Sequence, residues 1–75
     1  MSPDPEWQKR VQGLLKAELK RRNIGYRELA ERLTAMGIPQ TEKNITVKIS
    51  RGGFSAVFLV QCLDAIGATE ISLKR

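Results

Sequence analysis

The sequence contains no histidine and only one cysteine, Cys62. A chain with this composition cannot assemble a common zinc site, and it cannot build a Ser-His or Cys-His nucleophile pair. A single cysteine also excludes an internal disulfide. Because Cys62 lies in the apolar run AVFLVQCLDAIG, we expect a buried thiol rather than a reactive one. The sequence therefore predicts no metal, no cofactor and no enzymatic activity.

Long apolar runs are also missing. No stretch approaches the roughly 20 residues that a helix needs to cross a bilayer, and the N-terminal MSPDPEWQKR has no apolar segment typical of a secretory signal. These features predict a soluble, cytoplasmic protein without a membrane partner. Aromatic residues are few, and only Tyr26 is expected to be accessible, which argues against an RNA-binding surface that stacks bases.

Basic residues are in excess. The 13 Lys and Arg residues outnumber the 8 Asp and Glu residues, so the net charge is +5 and the pI is near 9.9. This balance favours an anionic partner such as nucleic acid. Charge alone leaves open the alternative of a basic protein that is merely soluble.

The spacing of apolar residues predicts a single all-α domain over residues 1–75, with helices at about 5–22, 26–36, 42–51 and 56–66. Asp4 can cap the first helix and Pro5 suits its first position. The second helix follows Gly25. Ile24 before this glycine and Leu29 after it have the spacing of a hydrophobic staple. The predicted inner faces of these two helices comprise Trp7, Val11, Leu14, Leu15 and Leu19, and then Leu29, Ala30, Leu33 and Met36.

The third and fourth helices have clear end signals. Thr41 is a good cap for the third helix, and Gly52 can end it in a left-handed conformation. The fourth helix begins after Ser55 and stops at Gly67. Its buried stripe is predicted to be Phe58, Leu59, Cys62, Leu63 and Ile66. The remainder, 68–75, alternates and predicts a short extended C-terminal arm or strand.

The third helix has an unusual outward face. On a helical wheel, Ile45 and Ile49 point in one direction, which must be the core. The opposite face presents Lys43, Asn44, Val47, Ser50 and Arg51, with Lys48 beside it. Arg and Lys can donate to guanine, Asn can pair with adenine, and Val methyls can contact a thymine methyl, so this face suits a DNA major groove. The alternative is a solvated helix, but such faces more often carry acids four residues before bases, and no acid follows Glu42 in this helix.

A helix-turn-helix unit typically combines three elements: a helix with a small inward residue, here Ala30, then a glycine turn, and then a short polar-faced helix. On the segments ELAERL, GIP, NITVKISRG and LDAIG, the sequence resembles the lambda-repressor-like helix-turn-helix family. More narrowly, the pattern LAERL, TEKNI, KISRG, FS, QCL and AIG is similar to short uncharacterised bacterial proteins of the same build. The resemblance covers residues 14 to 67 and implies a compact four-helix DNA-binding domain.

The resemblance also implies roles for individual residues. Tyr26 stands second in the pattern of the second helix, where family members commonly place a glutamine that contacts the DNA backbone. Arg51 and Gly52 match the closing Arg-Gly of the recognition helix. The stretch between LA and RG is longer here than in the family, because the second helix and the following turn are extended. The predicted DNA-binding residues are Tyr26, Arg27, Lys43, Asn44, Val47, Lys48, Ser50 and Arg51.

Two functions are consistent with these features. The first is sequence-specific binding of double-stranded DNA by a small bacterial or phage transcription regulator, which is located at the nucleoid when bound. It would act as a homodimer, because one such unit reads few base pairs. The second is a protein-interaction adaptor or antitoxin-like partner, which an apolar patch around Val57 and Val60 would favour. The predicted dimer interface comprises Val57, Val60, Ile71 and Leu73.

Overall fold

The computed structural model describes residues 5–73, and it is all-α. The helices are α1 (Pro5–Arg21), α2 (Tyr26–Ala35), α3 (Glu42–Arg51) and α4 (Ala56–Ala65). The predicted fold class of a small four-helix domain is confirmed. Residues 68–73 are irregular, and the described part of the chain contains no strand. The predicted cap Asp4 and the last two residues of the arm, 74 and 75, lie outside the described residues.

Three of the helices end in the same manner. After α1, α2 and α4 the chain passes through one residue with positive φ, and the next amide N–H donates to a carbonyl of the last turn at 2.9 Å. The residues with positive φ are Asn23 (56°), Gly37 (83°) and Gly67 (77°). The turn returns the chain to the core, because Ile24 is buried and Ile38 and Ala68 pack against the buried cluster.

A single apolar cluster holds the four helices together. Both α2 and α1 pack against α3 and α4, so the cluster lies between these pairs. Burial of this apolar surface is the main favourable term in folding. The buried residues are Leu15, Leu19, Ile24, Leu29, Ala30, Leu33, Ile45, Ile49, Phe58, Cys62 and Ile66.

The prediction that Trp7 belongs to the buried face of α1 is wrong. Its side chain is 58% exposed, and the Arg10 guanidinium lies 5.4 Å from the ring centroid. Trp7 is about 80° from Leu15 around the helix axis, and Val11 and Leu14 on the same side are only half-buried. The core therefore covers the side of α1 that carries Leu15 and Leu19, whereas the side that carries Trp7 remains exposed.

The prediction that Met36 faces the core is also wrong. Its side chain is 42% exposed, because α2 ends at Ala35 and Met36 is already the C-cap. The chain leaves the helical path at this point and turns through Gly37. Ile38 then packs against the core instead. Helical periodicity does not apply beyond the last helical residue.

Ion pairs at Glu18 and at Arg32 reinforce the helices. Glu18 of α1 is buried, and its carboxylate accepts from Arg22 at 2.5 Å and lies 3.3 Å from Arg21. Arg32 of α2 pairs with Glu28 and also donates to the carbonyl of Ala65 at 3.2 Å. The hydrogen bond from Arg32 to Ala65 links the exposed side of α2 to the last turn of α4.

Candidate nucleic-acid interface

The start of α3 is fixed by a reciprocal cap. The amide of Asn44 donates to Thr41 Oγ1 at 3.0 Å, and the amide of Thr41 donates to Asn44 Oδ1 at 3.3 Å. Two amide groups that lack partners at a helix start are thereby satisfied. The predicted cap residue Thr41 is confirmed, and α3 begins at Glu42 as expected.

The rotation of α3 about its axis is fixed by the two isoleucines. Ile45 and Ile49 are fully buried in the core. The opposite side is therefore turned to solvent, and Val47, at its centre, is 40% exposed. The helical-wheel assignment of inner and outer faces is correct for this helix. The residues exposed on the outward face are Lys43, Asn44, Val47, Ser50 and Arg51.

Asn44 lies on that face, but its amide oxygen is already in use. Oδ1 accepts from both the amide and the hydroxyl of Thr41, the latter at 2.8 Å. Bidentate pairing with adenine requires both the oxygen and the NH2 group of an asparagine. Asn44 can therefore donate from Nδ2 without disturbing the cap, whereas full adenine recognition competes with the cap.

Lys48 lies at the border between α3 and α4 rather than on the outward face. Its Nζ donates to Gln40 Oε1 at 3.3 Å and lies 4.9 Å from the ring centroid of Phe58. A cation above an aromatic ring gains about 0.5–1 kcal/mol at exposed sites. These contacts give Lys48 a structural role that the sequence pattern did not indicate.

The end of α3 is fixed by close contact with α1. Gly52 is buried and left-handed (φ 71°), and a Cβ atom added there would lie 3.1 Å from the carbonyl oxygen of Gln8. One turn along α1, Gln12 Nε2 donates to the carbonyl oxygen of Ser50 at 3.4 Å. The first half of α1 therefore lies beside the last turn of α3. Neither glutamine was predicted to contribute to the site.

Tyr26 and Arg27 are at the start of α2. Gly25 occupies the cap position, as predicted, and provides no side chain to cap the helix. Tyr26 is half-buried and shares a shallow concavity with Lys16 and Lys20 of α1. Burial raises the pKa of the Tyr26 hydroxyl above its ordinary value of 10.0. Arg27 is exposed.

The ion pairs of the described residues do not involve the cations of the candidate interface. Within residues 5–73, ion pairs link Glu18 to Arg21 and Arg22, and Glu28 to Arg32. No carboxylate of the described chain pairs with Arg27, Lys43 or Arg51. The outward face of α3 and the start of α2 therefore carry positive charge that no carboxylate of residues 5–73 pairs with.

The predicted dimer interface is only partly contiguous. Val57 and Val60 of α4 are 66% and 63% exposed, and both line one shallow apolar surface. Ile71 lies with Val60 and Leu63 around an adjacent concavity. Leu73 lies elsewhere, because its carbonyl oxygen accepts from Arg10 of α1 at 2.6 Å. Irregular residues 68–73 thus connect α4 to α1 within one chain.

Other kinds of site find no support among the described residues. Residues 5–73 contain no cluster of three or more His, Cys, Asp or Glu side chains that could hold a metal ion. No described helix is long and apolar enough to cross a membrane. Cys62 is fully buried, and burial raises the pKa of its thiol from 9.0 to about 11, partly opposed by the charge of Lys48.

A family model described as a domain of unknown function (DUF6471) matches residues 7–71. This span includes all of α2, α3 and α4, nearly all of α1 and most of the irregular C-terminal segment. No curated protein and no solved structure matches the chain.

Proposed function

We propose that this chain, which belongs to the family described as a domain of unknown function (DUF6471), is a sequence-specific double-stranded DNA-binding protein. In this proposal α2 and α3 form a helix-turn-helix unit of the lambda-repressor-like kind, and α3 enters the major groove. The biological role is that of a small bacterial or phage transcription regulator, cytoplasmic and associated with the nucleoid when bound.

The observation that supports this proposal best is the outward face of α3. A helix about 10–12 Å in diameter fits a major groove about 12 Å wide. The face has two cations, Lys43 and Arg51, at opposite ends, with Val47 and Ser50 between them. No carboxylate pairs with either cation in the described chain. Guanine edges and thymine methyl groups are the partners for which such a face is best suited.

Within this proposal, we rank the DNA contacts by the interactions that each side chain already makes. Arg51 and Lys43 are free to reach base edges or phosphates, and Val47 is placed for an apolar contact. Asn44 is engaged in the cap, and Lys48 is engaged with Gln40 and Phe58. We expect Arg51 and Lys43 to contribute most to binding, and Lys48 least.

The direct test is a selection of bound sequences from a random duplex pool, followed by binding measurements with variants. Arg51→Ala and Lys43→Ala should each weaken binding to the selected duplex by about 1–3 kcal/mol if the side chain contacts a base. Thermal stability should barely change, because both side chains are exposed. Arg21→Ala is the control, since it removes the same charge from an exposed position on α1. A pool without enriched sequences, or equal binding by Arg51→Ala and the parent, would contradict the proposal.

A homodimer is part of the same proposal. The exposed valines of α4, Val57 and Val60, line one apolar surface, and Ile71 lies with Val60 around the adjacent concavity. A stable interface buries about 800 Å² per partner, which is more than this small patch provides. We therefore propose a weak dimer that forms fully when two copies occupy adjacent half-sites on DNA.

The second candidate is a protein-interaction adaptor or antitoxin-like partner. Exposure of Val57 and Val60 favours it, because a foreign protein can cover the same apolar surface. The two candidates differ in the role of α3. An adaptor that uses only α4 predicts no dependence of its activity on Arg51 or Lys43.

A further inference from the structure

One side of α1 carries three lysines that the proposed contacts of α2 and α3 do not use. Lys9, Lys16 and Lys20 fall within about 40° of one another around the helix axis, and Gln12 lies next to them. All three lysines are exposed. We call these four residues, Lys9, Gln12, Lys16 and Lys20, the α1 ledge.

The α1 ledge borders both parts of the candidate interface. Gln12 donates to the carbonyl of Ser50 in the last turn of α3 at 3.4 Å. Lys16 and Lys20 line the same concavity as Gly25 and Tyr26, where α2 begins. The ledge is therefore continuous with the end of α3 and with the start of α2.

The lysines of the ledge form no ion pair with a carboxylate among residues 5–73. In residues 5–73 the ion pairs of α1 involve Glu18, which lies on another side of the helix and holds Arg21 and Arg22. No carboxylate of this region pairs with Lys9, Lys16 or Lys20. Lysines four residues apart also repel each other slightly on a helix. A polyanion beside the ledge would relieve this repulsion.

Resting on the proposed function, we propose that the α1 ledge binds the DNA phosphate backbone beside the groove that α3 enters. Lys16 and Lys20 are about 6 Å apart along the helix axis, close to twice the roughly 3.4 Å rise per nucleotide of one strand. Long lysine side chains can therefore reach alternate phosphates of one strand. These contacts increase affinity and its salt dependence but carry no sequence information.

The test measures the slope of log K against log salt concentration for a selected duplex. Lys16→Gln and Lys20→Gln should each reduce the magnitude of the slope by roughly 0.9, and the double variant by roughly 1.8, because each contacted phosphate contributes about 0.9. The ratio of affinities for selected and scrambled duplexes should stay unchanged. Glutamine keeps a similar helix propensity, and thermal melting of each variant checks that the fold is intact.

Ala17→Glu is the matched control, because it changes the net charge by the same amount as Lys20→Gln. Ala17 is exposed and lines a different concavity, with Arg10 and Ser72, so its slope should stay close to the parental value. If parental DNA binding depends on Arg51 but both lysine variants keep the parental slope, the ledge does not touch the duplex. An equal effect of Ala17→Glu would assign the change to net charge and overturn the proposed contact. A parent that binds no duplex overturns the proposed function and this inference together.

Discussion

At the scale of single residues, two glycines differ in how strictly the structure requires them. Gly13 lies within α1, is exposed, and a Cβ atom added there would meet nothing within 4 Å. Gly52 ends α3 with φ 71° and lies against the backbone of Gln8. The positive φ and the nearby Gln8 backbone therefore both require a glycine at position 52. Neither reason applies at position 13.

We expect Gly13→Ala to raise the free energy of unfolding by about 0.5–1 kcal/mol, because glycine is unfavourable inside a helix. Gly52→Ala should lower it by about 1–3 kcal/mol, since a left-handed non-glycine residue is strained and its Cβ would crowd Gln8. Urea unfolding of the two variants and the parent measures both effects. A Gly52→Ala protein as stable as the parent would show that α1 does not lie against the end of α3 in this way.

Cys62 should make the free energy of unfolding depend on pH in the alkaline range. Burial raises the pKa of its thiol from 9.0 to about 11, so between these values the unfolded chain has lost a proton that the folded chain retains. The contribution is fully present below pH 9, and stability falls as pH rises from about 9 towards 11.

The measurement is urea unfolding at several pH values for the parent and for Cys62→Ala. The variant loses stability at every pH because truncation leaves a cavity, but its decline between pH 9 and 11 should be shallower than that of the parent. Parallel curves for the two proteins would show that Cys62 does not titrate differently on folding.

At the scale of elements, α3 has two faces with different tasks. Its inner face anchors the helix in the core through Ile45 and Ile49. Its outer face is exposed and contributes little to folding. Mutations on the two faces should therefore affect stability and DNA binding separately.

Ile49→Ala should lower the free energy of unfolding by about 2–5 kcal/mol, as truncation of a buried isoleucine does. Val47→Ala should leave the melting temperature nearly unchanged, because Val47 is 40% exposed, and should weaken binding to duplexes that contain a contacted thymine. Calorimetry and fluorescence anisotropy measure the two properties. The assigned rotation of α3 is wrong if Val47→Ala is the more destabilising change.

At the scale of the whole molecule, α4 and the irregular segment determine which surface is left for a second copy. The carbonyl oxygen of Leu73 accepts from Arg10 of the same chain, so in the proposed dimer Val57, Val60 and Ile71 are the remaining candidates for the interface. In the proposed dimer we therefore expect helices, and not two strands, to pack between the copies.

Val57→Asp and Val60→Asp should shift self-association towards the monomer, because each puts a charge into an apolar contact. Binding to a duplex with two half-sites should weaken, whereas binding to one half-site should change little. Sedimentation and anisotropy measure these outcomes. Ala35→Asp, at an exposed position of α2, is the charge control. A parent that binds one short site tightly as a monomer would exclude the dimer.

Much of this protein follows from local sequence alone. Thr41, Ser55 and Gly52 set helix ends through hydrogen bonds and backbone conformation within a few residues, so sequence reasoning placed these ends correctly. The spacing of Ile45 and Ile49 was enough to orient α3, because a helix with one apolar direction has only one way to bury it. The outward face of α3 therefore follows from the sequence without any tertiary contact.

Other features were decided only by tertiary structure. Periodicity indicates a direction on a helix but not how far the neighbouring helices extend, so Trp7 is wrongly predicted to be buried. It also does not indicate where a helix ends, so Met36, the C-cap of α2, is wrongly predicted to face the core. The contacts of Lys48 with Phe58, of Gln12 with Ser50 and of Arg10 with Leu73 join residues distant in sequence, and no local pattern encodes them. The α1 ledge became part of the candidate interface for the same reason, because packing of α1 against the end of α3 placed its lysines there.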